Sequence, residues 1–199
     1  MTRKNVWVVL AAVVAVTAGG CSSPPAAEIS AVDAAVVAAE SAEASTYASA
    51  EFAAVTEAKA QLQAELTAQE GKFALMRSYA KATELAAAAK VAAETAQQRA
   101  VEGKEQARNE ATQLVADARV VLDEAMLMLE KAPRGKGTQA DLAVMKSDLA
   151  AVEVSLGEAN SALAASNFDE ARTKAQAAIQ AAGQVKAAVE QALTMRTRS

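Results

Sequence analysis

The 199-residue sequence contains no histidine, one cysteine and few aromatic residues. The absence of histidine removes the most common general base of enzymes and the most common metal ligand. The lone cysteine, Cys21, excludes an intrachain disulfide. Because Phe, Trp and Tyr make up 3% of the chain, a core built on large side chains is not expected. These absences weigh against a catalytic site, a metal centre and a bound cofactor.

The charge balance also excludes one class of partner. The chain carries 20 basic and 24 acidic residues, a formal net charge of −4. Nucleic-acid-binding domains concentrate Lys and Arg on one face, and the sequence shows no such concentration. No nucleic-acid partner is therefore predicted.

Alanine supplies most of the 52% of residues that are hydrophobic. Alanine has the highest helix propensity, and Glu, Lys, Gln and Arg fill most of the remaining positions, so the composition favours long helices. Methyl groups bury little area per residue, and helices that contact through alanine must lie close together. The sequence therefore predicts an all-α fold of elongated antiparallel helical hairpins or coiled coil.

The N-terminus has the pattern of a secretion signal. Arg3 and Lys4 precede an apolar run over residues 6–16. A membrane-spanning helix needs about 20 apolar residues, so this run is too short to span but has the length of a signal-peptide core. Residues 1–20 are therefore predicted to be a signal peptide, and the sequence that ends at Cys21 indicates that it is the signal peptide of a lipoprotein.

The four residues Ala18-Gly19-Gly20-Cys21 resemble the bacterial lipobox. The resemblance implies diacylation of the Cys21 thiol, cleavage before Cys21 and acylation of the new amino group. The acylated Cys21 would then attach the protein to a membrane. Ala18 stands where leucine is usual, and Gly19 where a slightly larger residue is usual. The alternative is ordinary signal cleavage after Ala18, because Val16-Thr17-Ala18 is also a small-residue site.

The residues after the cysteine predict a tether and a location. Ser22 is not the aspartate that the enterobacterial sorting pattern uses for inner-membrane retention, so the resemblance implies an outer-membrane protein facing the periplasm. Pro24 and Pro25 favour an extended backbone, and residues 21–27 are predicted to form a lipidated tether.

Four helices in two tandem hairpins are predicted beyond the tether. Gly71 and the breaker loop 132–137 separate them. One long hairpin over residues 28–131 and a second over 138–196 follow from these breaks. The predicted helices are, approximately, Ala26–Gln69, Lys72–Lys131, Thr138–Ser166 and Phe168–Met195.

Apolar residues recur at alternating steps of three and four along these helices. This spacing is typical of coiled-coil packing. The third helix presents Leu142, Met145, Leu149, Val152, Leu156, Ala159 and Leu163, and the fourth Phe168, Ala171, Ala175, Ala178, Ala182, Val185, Val189 and Ala192. A row similar to that of the third helix lies 90 positions earlier and consists of Phe52, Val55, Leu62 and Leu66, interrupted by Lys59. A row similar to that of the fourth helix lies 89 positions earlier and consists of Tyr79, Ala82, Ala86, Ala89, Ala93, Ala96 and Ala100. The agreement indicates tandem duplication of one hairpin, with chance similarity in alanine-rich sequence as the alternative.

Two further resemblances concern the helical part. The segment Asn167-Phe168-Asp169-Glu170-Ala171 is similar to the start of the second helix in tetratricopeptide-like hairpins. The chain after Cys21 resembles uncharacterised alanine-rich helical-hairpin lipoproteins of bacterial envelopes. That resemblance implies an envelope location and an all-helical fold, and it implies no activity.

The remaining chemical candidates are weak. Ser78 and Lys81 have a Ser-x-x-Lys spacing, the pairs Asp123-Glu124 and Asp169-Glu170 are adjacent carboxylates, and residues 135–138 superficially resemble a phosphate loop. The full phosphate-loop motif is absent, and charged pairs on helices are usually solvated. No enzyme, metal or cofactor is predicted. The prediction is a lipid-anchored envelope scaffold or protein-interaction module that contacts partners, or itself, through its helix seams; the alternative is a lipoprotein that binds a lipid, peptide or other small ligand in a helical groove.

Overall fold

A computed structural model describes the backbone of residues 23–132 and 139–197, and side chains as far as residue 194. The described residues form six α-helices and no β-strand, which confirms the all-α class. One short 3-10 helix, Ala74–Met76, lies between the third and fourth α-helices. The α-helices are α1 (Ala26–Ser41), α2 (Ala44–Tyr47), α3 (Ser49–Glu70), α4 (Ala80–Glu130), α5 (Gln139–Ala164) and α6 (Phe168–Thr197).

The expectation of about four helices is wrong in the first third of the chain. The predicted helix Ala26–Gln69 is divided into α1, α2 and α3, and the break contains Glu43 with a left-handed φ of 61°. Neither Gly nor Pro marks this break, so the usual sequence signal is missing. The next helix begins at Ala80 rather than Lys72, because the chain after Gly71 forms a loop and the 3-10 turn first.

The chain divides into two compact units, and α4 contributes to both. Of the described residues, unit 1 comprises 23–41 and 50–96. Two ion pairs fix its helix directions: Lys59 lies 3.0 Å from Asp33, and Lys81 lies 3.9 Å from Glu65. Asp33 and Lys59 are about equally far from the segment between α1 and α3, so these two helices run antiparallel. From the Gln69–Ser78 contact to the Glu65–Lys81 contact the chain moves backward along α3 and forward into α4, so α3 and α4 also run antiparallel. Its core contains Val32, Val36 and Ala39 of α1, Val55, Leu62 and Leu66 of α3, and Tyr79, Ala82, Ala86, Ala89, Ala93 and Ala96.

Of the described residues, unit 2 comprises 42–49, 97–132 and 139–197. Arg172 of α6 lies 3.2 Å from Glu110 of α4, and Lys186 pairs with Glu124 further along the same two helices, so α4 and α6 run parallel. The 2.7 Å pair between Lys174 and Glu158 joins α6 to the antiparallel α5. The core of the three helices contains Val115, Ala118, Leu122, Ala125, Leu149, Val152, Leu156, Ala159, Ala175, Ala178, Ala182, Val185 and Val189.

A tight helix-terminating turn joins α5 to α6. Ser166 has a φ of 63°, its N–H donates to Leu163 O at 3.1 Å, and the Asn167 N–H donates to Ala162 O at 2.9 Å. These two bonds and the left-handed residue form a Schellman motif, which satisfies carbonyls at the end of α5. The reversal therefore needs only the short stretch between Ala164 and Phe168.

Burial confirms most of the predicted seam residues. The row from Phe168 to Val189 is buried, and so is the row from Tyr79 to Ala100 that precedes it by 89 positions. In α5, Leu142, Met145 and Leu163 are half-buried, and the other seam residues, Leu149, Val152, Leu156 and Ala159, are buried. The prediction is wrong for Ala192, which is exposed, because Leu193 packs against the core in its place.

Candidate interaction surfaces

The predicted lipid-attachment residue Cys21, its lipobox neighbours Ala18, Gly19 and Gly20, and residues 135–138 lie outside the described part of the chain. The first described residues, 23–25, have no regular secondary structure. The Ala26 N–H donates to Pro24 O at 2.8 Å, and the Ile29 N–H donates to Pro25 O at 3.0 Å. Two consecutive prolines therefore lead directly into the first turn of α1, where their missing N–H groups cost nothing.

No helix among the described residues combines the length and the apolar character needed to cross a bilayer. Across residues 23–132 and 139–194, no group of three or more Cys, Asp or Glu side chains converges as a metal site would require.

The structure places the candidate chemical residues in ordinary surface contacts. The Ser78 N–H donates to Gln69 Oε1 at 3.1 Å, and Lys81 lies beside Glu65. Of the two carboxylate pairs, Asp123 and Glu124 each pair with a different base, Arg119 and Lys186. Glu170 of the other pair lies 3.7 Å from Lys174. All four carboxylate residues are exposed, which is typical of solvated helix faces.

A corner segment, defined here as residues 42–49, packs against α4 within unit 2. The Glu43 carboxylate accepts a hydrogen bond from Lys104 Nζ, and the same ammonium lies 5.8 Å from the centroid of the Tyr47 ring. The hydrogen bond to Glu43 raises the pKa of Lys104, and burial raises the pKa of Tyr47. Gly103 lies under the segment: a Cβ at this position would overlap the Tyr47 carbonyl oxygen and lie 3.3 Å from the Tyr47 Cβ. The absence of a side chain at Gly103 therefore permits the close approach.

Tyr47 extends this corner toward the α5–α6 turn. It packs, with Ala107 and Leu163, against a small cluster that includes buried Phe168 and Ala162. The helix α4 runs unbroken through Gly103. A glycine inside a regular element can also mark a close backbone approach, and that signal was present.

Two open grooves lie along α5 in unit 2. One groove, with a volume of about 880 Å³, lies between α5 and the end of α4; its lining includes apolar Met126, Leu129 and Leu142 and the basic Lys146. The second groove, about 740 Å³, lies between α5 and α6 and includes Val144 and Met145. Both combine apolar walls with polar rims, which is the general character of surfaces that accept ligands or other helices.

The α3–α4 loop, residues 71–79, presents an exposed apolar tip, defined here as Phe73, Leu75 and Met76. These side chains are 71%, 81% and 74% exposed. Two groups pin the loop: the Arg77 guanidinium donates to Glu70 O at 2.9 Å and Lys72 O at 3.0 Å, and the buried Gln69 amide oxygen accepts from the Ser78 N–H. The three apolar side chains are therefore exposed by a loop conformation that these hydrogen bonds stabilise.

Sequence reasoning noted only the helix break at Gly71. The sequence signal for the exposed tip is the apolar run Phe73-Ala74-Leu75-Met76 directly after the helix break at Gly71. This run is too short to form a further buried helix, so its side chains are expected at the surface.

No protein-family model matches this chain, and neither the curated proteins nor the solved structures give a significant match.

Proposed function

We propose that the protein is a lipid-anchored scaffold or protein-interaction lipoprotein of the bacterial cell envelope, without catalytic activity. The observation that carries the proposal is the position of the only cysteine. Cys21 follows the apolar run over residues 6–16, and α1 begins five residues after it. Acyl chains on this cysteine would hold the helical part against a bilayer, and three chains exceed the marginal hold of one.

The proposed arrangement of the helices is two tandem hairpins that contact in coiled-coil fashion, derived from one duplicated hairpin. Equal burial at positions 89 apart supports this: Tyr79 and Phe168 are each 6% exposed, and Ala82 and Ala171 are each fully buried. Seams of alanine let helix backbones approach closely, so the helices pack with small side chains between them. The outer faces of these long helices are then accessible to a partner.

The groove between α4 and α5 supports a second candidate function, the binding of a lipid, peptide or other small apolar ligand. Leu142 lines this groove, whereas Val154 of α5 is 63% exposed and does not line it. A Leu142→Lys variant should lose thermal stabilisation by such a ligand, and a Val154→Lys variant should retain it, because only the first places a charge against the apolar wall.

The intact mass of the protein isolated from bacterial membranes tests the main proposal. The expected product begins at Cys21, has lost residues 1–20 and carries the additional mass of three acyl chains, while a Cys21→Ser variant carries none. A released chain with a free Cys21 thiol, cleaved after Ala18, would refute the anchor. Crosslinking in intact membranes should then capture a second chain of this protein or another envelope protein, and capture of neither would refute the scaffold role.

A further inference from the structure

We propose that the apolar tip of the α3–α4 loop inserts into the interface of the same bilayer that holds the acylated N-terminus. This inference rests on the proposed lipid anchor. It adds a second membrane contact, made by Phe73, Leu75 and Met76, and it fixes which end of unit 1 faces the lipid.

The register of the helices in unit 1 places the start of α1 beside the loop. Asp33 of α1 contacts Lys59 of the antiparallel α3. Seven residues before Asp33 is Ala26, the first residue of α1, and seven after Lys59 is Leu66. Along the helix axis, the start of α1 therefore lies about 6 Å, at 1.5 Å per residue, from the end of α3, where the loop begins.

The reach of the chain keeps the anchor close to the same end of unit 1. Between Cys21 and Ala26 a fully extended backbone spans at most about 18 Å. Because α1 begins beside the loop, acyl chains on Cys21 would enter the bilayer within this distance of the start of α1. The apolar tip lies at the same end of unit 1 and faces the same surface.

The exposed tip is costly in water. The two tyrosines are buried or half-buried, as are Phe52 and Phe168, so Phe73 is the only exposed aromatic residue among those that the structure describes. Three large apolar side chains that are exposed next to one another indicate a contact site, whereas single exposed apolar residues do not. The loop conformation that exposes them is held by Arg77 and Gln69, so the tip does not fold back onto its own unit.

The chemistry around the tip fits a lipid surface better than a protein groove. Exposed Lys72 precedes Phe73-Ala74-Leu75-Met76 in sequence, and Arg77 after it is engaged with the carbonyl oxygens of Glu70 and Lys72. An apolar segment with an aromatic residue and an adjacent exposed lysine is typical of interfacial insertion, in which the apolar groups enter the acyl boundary and the ammonium stays with the headgroups. No helix-length amphipathic face is required, because the contact has only a few side chains.

A single-tryptophan experiment tests the insertion. The only tryptophan, Trp7, lies within the predicted signal peptide, so a Leu75→Trp substitution gives the processed chain one reporter at the tip. The matched control is Val91→Trp, which places the reporter at a 61% exposed position further along α4 in unit 1. Each acylated variant is reconstituted in phosphatidylcholine vesicles that contain acyl-brominated lipid, after circular dichroism confirms its helix content.

The expected result is quenched and blue-shifted emission from the Leu75→Trp variant, with the emission of the Val91→Trp variant unquenched. Two outcomes overturn the insertion while the anchor stands: neither variant is quenched, or both are quenched equally. In the second case the unit lies along the bilayer and does not face it with the loop.

An unmodified Cys21 thiol by mass spectrometry overturns the anchor, and the unacylated chain then tests the loop alone. In that case, quenching of the unacylated Leu75→Trp variant by added vesicles supports insertion and its absence refutes it. Replacing all three tip residues by serine should weaken vesicle binding of the unacylated chain by about a hundredfold or more. Sedimentation of the same variant shows whether the tip instead joins two chains, because self-association lost on serine substitution, with vesicle binding unchanged, would also overturn the proposal.

Discussion

Replacement of Gly103 by alanine should destabilise the protein even though alanine is the better helix residue. In a helix interior, alanine is favoured over glycine by about 1 kcal/mol. At Gly103, however, the added methyl would overlap the backbone oxygen of Tyr47. Backbone cannot rotate away as a side chain can, so either the corner segment moves or α4 bends. Overpacking of this kind costs about 1–3 kcal/mol and, because the obstacle is backbone, we expect the upper half of that range.

The expected net loss is therefore about 1 kcal/mol or more in the free energy of unfolding. Urea denaturation followed by circular dichroism measures it. Gly157→Ala is the matched control, since Gly157 lies inside α5 with no atom within 4 Å of an added Cβ. That control should gain about 0.5–1 kcal/mol from helix propensity and lower chain entropy. If both variants gain stability equally, the close approach of Tyr47 to α4 is wrong.

Three further predictions, which use four substitutions, test other features of unit 2. Leu122→Ala should cost about 3 kcal/mol because Leu122 is fully buried, whereas Leu127→Ala, at a 55% exposed position, should change stability by less than about 0.5 kcal/mol; similar losses on denaturation would contradict the packing. Ser166→Gly should gain about 1 kcal/mol by relieving the left-handed backbone, and a loss would contradict the Schellman turn. The hydrogen bond to Glu158 raises the pKa of Lys174, so its stabilisation is full below about pH 10.4, the unfolded value, and is lost as pH rises through the folded pKa. The urea midpoint difference between wild type and Lys174→Met should therefore shrink at high pH, and a constant difference would contradict the pairing.

The helical class and most of the buried positions could be predicted from the sequence because both follow from local rules. Alanine-rich composition determines the class, and steps of three and four determine which face is buried. Residues as small as Ala89 and Ala93 were assigned to the core on spacing alone, and both are fully buried. The predicted turn after α5 was also placed within a few residues, because Phe168-Asp169-Glu170 has the acidic first turn of a helix.

The corner segment and the apolar tip could not be predicted from the same rules. The break at Glu43 requires a left-handed non-glycine residue, which is stabilised by contacts distant in sequence: Glu43 pairs with Lys104, 61 positions later. Tertiary contacts of this kind override local preference. Burial likewise depends on where a loop points, so no spacing rule indicates that Phe73 is exposed while Phe168 is buried. The proposed lipid site at Cys21 stays a prediction, since it lies outside the described residues.

Under the proposed duplication, the two hairpin turns offer a comparison that bears on the apolar tip. The offsets of 90 and 89 on either side of the turns show that their lengths differ by one residue. Leu163 is the counterpart of Phe73: it lies in the last turn of α5 and is half-buried against Phe168 and Ala171. In the first hairpin the helix instead ends at Glu70, and Arg77 caps the freed carbonyls of Glu70 and Lys72. Matched seam positions on either side of the two turns are thus almost equally spaced, but the first turn leaves residues 71–79 outside the α-helices and the second leaves only residues 165–167. The apolar residue is therefore half-buried where the helix continues and exposed where the helix ends early, and an apolar residue kept at the exposed position is expected of a surface that something else covers.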